Sequence, residues 1–142
     1  MAENWDNRKN EAGYAGTGFA PGVAGHGGSS PYEIHIPLIA VGPGFKKAYE
    51  GDLPTSNIDI VPTILYLLGI APPSQMSGRV MSELLISPPA PVKEVVQKQT
   101  IATQVRKDWG TYQVTLERSL LGKYQYVDYT KVTRTFQKAE AK

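Results

Sequence analysis

Few residues in this chain have side chains suited to chemistry at a site, and the histidines stand out. There are two of them, His26 and His35, and no cysteine. His26 lies in "GHGG", between Gly25 and Gly27, where the backbone can adopt angles closed to other residues and can come close to an ion or ligand. Neutral imidazole is a common ligand of zinc and other divalent transition metals. The pattern leaves two readings open: a loop that happens to contain His26, or a loop that presents His26 to a metal. His35 lies in an apolar run and matches no ligand motif, so it reads as a core histidine with a satisfied ring. Without cysteine there are no disulfides and no thiolate-ligated zinc. A catalytic zinc site takes three protein ligands plus water, so one imidazole cannot build it alone.

The elements that must position these residues follow from periodicity and punctuation. Residues 1–31 carry Gly13, Gly16, Gly18, Gly22, Gly25, Gly27 and Gly28, half of the 14 glycines, and read as a long loop. Trp5, Tyr14 and Phe19 within it need somewhere to pack. The run "IHIPLIAV", 34–41, reads as a strand apolar enough to be buried on both faces, with Pro37 at an edge, a bulge or the strand's start. "GPGF" closes it. A helix follows over "DIVPTILYLLG": Asp59 as N-cap, Pro62 in the first turn, Gly69 as the residue that ends it. Ile60, Ile64, Leu67 and Leu68 form its expected buried stripe. "VMSELL" reads as a short helix, and "SPPAPVKE" as a proline-rich linker. "EVVQKQTIATQVRKDWG" reads as a poor helix or an irregular arm. "TYQVTLERSLLGKYQYVDYTKV" alternates about Leu-Gly-Lys as a β-hairpin, with Tyr112, Val114 and Leu116 on one face and Tyr124, Tyr126 and Asp128 sharing another. The order of elements makes the fold class α/β.

Taken together, "GHGGSSPYEIHIPLIAVGPGF", "PTSNIDIVPTILYLLGI" and "MSGRVMSELL" resemble the C-terminal part of the alkaline phosphatase superfamily. The likeness is to its nucleotide pyrophosphatase/phosphodiesterase and sulfatase-like branches, and the tail "RSLLGKYQYVDYTKVTR" resembles the ends of bacterial members. The matching features are the His-Gly pair before an apolar strand, Asp59 followed by Pro62 and Thr63, and the Gly78-Arg79 turn. The resemblance implies a fragment of an α/β/α sandwich with a C-terminal hairpin. Residues 1–87 would belong to the catalytic domain, with 1–31 as its glycine-rich loop, and 88–142 would be its linker and tail. It also implies a metal-dependent phosphoric ester hydrolase, either a phosphodiesterase/nucleotide pyrophosphatase or a phosphatase. Two divalent ions, commonly zinc, would clamp the ester and activate a nucleophile. Only His26 carries over as a metal ligand. The nucleophile and most ligands of the family have no counterpart here, so no residue is assigned as catalytic and the chain alone is expected to be inactive.

Composition narrows the partners. With 41% hydrophobic and 20% charged residues over 142, the chain is a globular domain rather than a disordered tail. Its apolar runs are too short to cross a bilayer, and its first residues have no apolar core of signal-peptide type, so as written it would stay where it is made. Members of the resembled family are often exported. The net charge is +2, and Asp128 and Glu140 interrupt the basic residues of the tail (Lys123, Lys131, Arg134, Lys138, Lys142), which suits a solvated face rather than a nucleic-acid site. Expected partners are a phosphate-ester substrate in the complete enzyme, a complementing N-terminal half, and a second copy of the chain. The alternative is a non-catalytic interaction or oligomerisation protein that retains the α/β piece, since exposed sheet edges and apolar faces associate.

Overall fold

The computed structural model describes residues 2–3, 12–16, 28–91, 93 and 95–137, with backbone alone for those before residue 28. Strands β1 (Ala2–Glu3) and β2 (Ala12–Gly16) come first, followed by a four-residue helical turn, α1 (Pro31–Ile34). A 3-10 turn, η1 (Asn57–Asp59), runs directly into helix α2 (Ile60–Leu67), and a second, η2 (Ser82–Leu84), follows. Three long strands close the chain: β3 (Gln97–Lys107), β4 (Gly110–Leu121) and β5 (Tyr124–Phe136). The strand order is β1-β2-β5-β4-β3. Two-residue turns at 108–109 and 122–123 join the long strands, as antiparallel neighbours require. Strand β2 pairs antiparallel with β5, Gly13 opposite Val132.

The chain divides into two compact units. The first comprises residues 1–36, 98–118 and 127–142, and its described part is mostly sheet. Val132 is fully buried in it. The start of α1 is tied to β5, where the Thr130 N–H donates to the Ser29 carbonyl at 2.8 Å and the two hydroxyls are hydrogen-bonded. Trp109 and Phe136 meet with ring centroids 5.3 Å apart. Polar pairs lace the exposed strands: Lys98 with Asp128 at 2.9 Å, and Thr100 with Glu117 at 2.7 Å. Exposed ion pairs of this kind contribute roughly 0.5 kcal/mol.

The second unit comprises 37–97 and the hairpin's turn end, 119–126. Its apolar core is Met81, Leu85, Leu121 and the Tyr126 ring, all nearly inaccessible. Phe45 bridges Leu85, the Lys46 N–H reaches the Leu84 carbonyl at 2.9 Å, and the Ile86 N–H reaches Gly44 at 3.1 Å. Burying a side chain such as Leu85 completely stabilises by about 2–3 kcal/mol. Helix α2 ends in a Schellman motif. The Ile70 N–H bonds the Leu65 carbonyl, the Gly69 N–H bonds Tyr66, and Gly69 takes the left-handed φ of 72°.

Several expectations are corrected. The run 34–41 is not a strand: Ile34 ends α1, residues 35–41 have no regular structure, and Ile39 and Val41 are 85% and 90% exposed. A strand apolar on both faces needs neighbours along both edges and layers above and below, and the described residues supply neither. His35 is exposed and is therefore no core histidine. The expected stripe of α2 faces outward, with Ile64, Leu67 and Leu68 exposed and Pro62 and Thr63 buried instead. "VMSELL" forms only the three-residue η2. The arm after the linker is strand β3, exposed along its whole length, which ends at the Asp108-Trp109 turn. Part of the first 31 residues is strand rather than loop. On β5 the expected alternation holds, with Tyr126 and Val132 buried and Val127 exposed, whereas residues 111–118 of β4 are half-buried throughout. The architecture is a small mixed α/β fold built on three long antiparallel strands.

Candidate functional site

Three of the residues singled out by resemblance, Asp59, Thr63 and Arg79, converge in the second unit. Asp59 is wholly buried, an expensive place for a carboxylate unless every lone pair it exposes is used. Its Oδ2 accepts the Ser56 N–H at 3.0 Å, the reciprocal bond of a capping box at the start of η1. Its Oδ1 accepts the Arg79 N–H at 2.8 Å. Asp59 occupies the N-cap position of α2, as its place before the helix suggested, but its side chain makes no cap bond to that helix. It fastens the helix entry to the distant Gly78-Arg79 turn. Charge-assisted bonds of this type contribute about 1.5–3 kcal/mol each. Thr63, one turn further on, donates to the Asp59 carbonyl at 2.7 Å and accepts the Met81 N–H at 3.0 Å. The inward face of α2 is thus chosen by polar bonds.

Gly78 makes the approach possible. A Cβ there would lie 2.0 Å from the Ile58 carbonyl oxygen and 3.0 Å from the Asp59 nitrogen, both backbone atoms that cannot move aside. Only glycine lets the next amide reach the carboxylate. Arg79 is 5% exposed. Its Nε–H donates to the Tyr126 hydroxyl at 2.9 Å, and its terminal nitrogens form a bidentate pair with Glu83 at 2.7 and 2.8 Å. The remaining hydrogens point to the Pro54 carbonyl at 3.0 Å and, more weakly, the Val80 carbonyl at 3.4 Å. All five N–H donors of a guanidinium have acceptors. Burial on its own would lower the Arg79 pKa, but Glu83 overrides it and, with Tyr126, holds the group raised and charged. The Tyr126 hydroxyl is hydrogen-bonded to both Arg79 and Asp59. Burial pushes its pKa up to about 12, the Arg79 guanidinium opposes the shift, and the Asp59 carboxylate reinforces it.

Chemically, this is a clasp. Thr63 is buried, with its hydroxyl committed as both donor and acceptor, so it is no nucleophile. Arg79 has no donor left for an oxyanion. The cluster joins the 54–56 loop, the start of α2, the Gly78–Met81 segment, η2 and the turn end of the hairpin. Reading the sequence missed Ser56, Glu83 and Tyr126. Ser56 and Glu83 carry local signals, a Ser-x-x-Asp capping pattern and an Arg-Glu pair at i, i+4. Tyr126 carries only its place on the inward face of β5.

His26 lies outside the described residues, and His35 is exposed at the end of α1. Among the described residues no group of three or more His, Asp or Glu could hold a metal ion. Asp59, the buried carboxylate, has both oxygens taken by backbone N–H groups. The described residues therefore do not fit a resident metal by themselves. Among them, too, no helix is long and apolar enough to cross a membrane.

No family model and no solved structure matches the chain. Curated relatives match in part. Arylsulfatase K of Danio rerio is 41% identical over 51 residues, 36% of this chain and 10% of that protein. Sulfatase ppz1 of Metarhizium majus (strain ARSEF 297) is 43% identical over 49 residues, 34% of this chain and 12% of that protein. Arylsulfatase K of Mus musculus is 41% identical over 58 residues, 39% of this chain and 10% of that protein. The chain spans about a tenth of the length of these relatives. The likeness supports the sulfatase-like branch of the alkaline phosphatase superfamily, and none of these relatives is a nucleotide pyrophosphatase.

Proposed function

We propose that this chain supplies a structural segment of a sulfatase-type hydrolase acting on a sulfate ester. The observation that carries the reading is its partial identity to sulfatases. The clasp gives the segment a role: Asp59, Thr63, Arg79 and Tyr126 hold the start of α2 against the hairpin's turn end, as a rigid scaffold beside a site built elsewhere. Rigid support of this kind positions catalytic groups without touching substrate. In this reading His26 approaches a divalent metal, zinc among the candidates, together with ligands from the rest of the enzyme. The phosphoric-ester activities implied by the sequence resemblance are a competing outcome of the same assay, because sulfate and phosphate esters share a tetrahedral oxyanion.

The test places the full chain in Danio rerio arylsulfatase K in exchange for its 51-residue matching segment. The chimera is then assayed on p-nitrophenyl sulfate and bis-p-nitrophenyl phosphate. The expected result is sulfate-ester turnover by the chimera, its loss in the His26→Ala variant, and no turnover by the 142-residue chain alone. A soluble chimera that cleaves only the phosphodiester would replace the sulfatase reading with the phosphodiesterase one. A soluble chimera that cleaves neither would overturn both. A second reading, a non-catalytic interaction protein, is favoured by the exposed apolar side of α2.

A further inference from the structure

Strand β3 ends the sheet, and among the described residues β4 is its one neighbour. It is 11 residues long and exposed throughout, and at roughly 3.4 Å per residue it spans about 37 Å. Folded proteins blunt such an edge by shortening it, by a proline or bulge, or by charge. Residues 97–107 contain no proline and no glycine, and Thr100, Ile101, Thr103 and Val105 favour extended backbone. The strand is pinned from its paired side. Gln99 accepts the Arg118 Nε–H at 2.7 Å, Thr100 donates to Glu117 at 2.7 Å, and Lys98 donates to Asp128 at 2.9 Å. An added strand therefore meets a pre-formed template and loses chiefly its own conformational freedom. What remains to blunt the edge is charge, and it has one sign: Lys98, Arg106 and Lys107 are basic and 97–107 holds no acidic residue. Alternation places Lys98 and Arg106 on one face of the strand, and Ile101, Thr103 and Val105 on the other. Ile101 and Val105 are 42% and 46% exposed.

We propose that the outer edge of β3 is a docking site for an extended acidic segment of another protein, which adds to the sheet as a further strand. The segment carries acidic side chains toward its ends, opposite Lys98 and Arg106, and β-branched apolar side chains between them, beside Ile101 and Val105. Main-chain hydrogen bonds supply the attraction, and the alternating side chains set the register. Charge complementarity selects this occupant over a second copy of the chain. Antiparallel pairing that overlaps two β3 strands completely sets Lys98 opposite Arg106 of the copy, and like charges directly opposite are destabilising. An acidic strand turns the same two positions into attractive pairs. The inference is independent of the sulfatase reading, which concerns the ester and not this edge.

The probe is a labelled peptide, acetyl-Glu-Val-Thr-Val-Thr-Val-Thr-Val-Glu-amide, added to the full 142-residue chain. Its pattern is the same in both directions, so it fits β3 parallel or antiparallel. Fluorescence anisotropy should show saturable binding that weakens as salt is raised. At saturation, amide exchange within β3 should slow by roughly tenfold or more. Arg106→Glu with Lys107→Glu should weaken this peptide at least about tenfold and strengthen its counterpart with Lys in place of both Glu. Both side chains are exposed, so the variant should melt within about 2 °C of the parent chain. Two further peptides, N-methylated at the valines or at the threonines, test the edge on the unchanged chain, so a folding defect in the variant does not shield the proposal. Only one face of the peptide backbone can pair, so one set of methyl groups should abolish binding and the other spare it. Equal binding by the two methylated peptides overturns the proposal, as does unchanged affinity in a folded charge-reversed variant. Protection confined to β4 or β5 also overturns it, because the peptide would then lie on the face of the sheet. So does β3 protection that appears without peptide as chain concentration rises, which would assign the edge to a second copy.

Discussion

At the scale of single residues, Tyr126 couples the clasp to pH. Its hydroxyl is raised from 10.0 to about 12, so the folded state holds this proton more tightly than the unfolded state does. Below pH 10 both states are protonated and the group adds no pH dependence. Between about pH 10 and 12 the unfolded state ionises first, so stability falls as pH rises. Replacing Tyr126 with Phe removes that slope and leaves the Arg79 Nε–H without its acceptor, which costs about 1–3 kcal/mol at neutral pH. Urea unfolding at about pH 7, 9 and 11 should show the variant less stable at the first two values and the gap narrowing at the third. A gap of constant size across this range would mean that burial does not hold the Tyr126 proton as its position requires. Asp59 and Arg79 were legible in the sequence as motif residues. Their saturation with partners was not, because part of it depends on groups 20 or more positions away: the Arg79 N–H for Asp59, and the Pro54 carbonyl and Tyr126 hydroxyl for Arg79.

Element-scale behaviour turns on the two ends of α2. Its stop was legible: Gly69 follows the last apolar residue and adopts the left-handed conformation that a Schellman ending needs. A Cβ at Gly69 would meet nothing within 4 Å, so Gly69→Ala carries only backbone strain, about 1 kcal/mol. At the other end Gly78→Ala drives a methyl into the Ile58 carbonyl and pushes the Arg79 amide off Asp59. Overpacking and a broken charged bond together cost about 3 kcal/mol or more. Far-UV circular dichroism in urea should therefore rank Gly78→Ala well below Gly69→Ala, and equal midpoints would refute the close approach. The start of the helix was legible too, with Pro62 in its first turn. Its inward face was not, since the apolar stripe predicts one side and the Asp59 and Thr63 bonds select another.

For the whole molecule, the imbalance between buried and exposed apolar side chains dominates. Among the described residues the apolar core is small, while large aliphatic side chains stand exposed along 36–41, α2 and Ile70. Patches of this kind associate when nothing covers them. Sedimentation of the isolated chain at micromolar concentration should show an average mass that rises above one chain as concentration increases. Ile64→Gln with Leu68→Gln should suppress the rise without lowering the melting temperature. A concentration-independent monomer would remove the support for an interaction surface.

The sequence by itself determined what depends on neighbours along the chain: the helix of α2 and its glycine stop, the hairpin about Gly122, and the proline-rich linker, whose described residues form no helix or strand. Turn chemistry, capping and short-range alternation decide these within a few residues. It also carried the sulfatase-like likeness, because motif order survives without knowledge of contacts. Tertiary structure decided the rest. It made a strand of 97–107, where weak alternation gains a partner in β4, and withheld one from 36–41, whose pattern asks for neighbours that the described residues do not contain. It turned α2 over, because three buried bonds and one part-buried bond to a charged and a hydroxyl side chain outweigh an apolar stripe that finds nothing to pack against among the described residues.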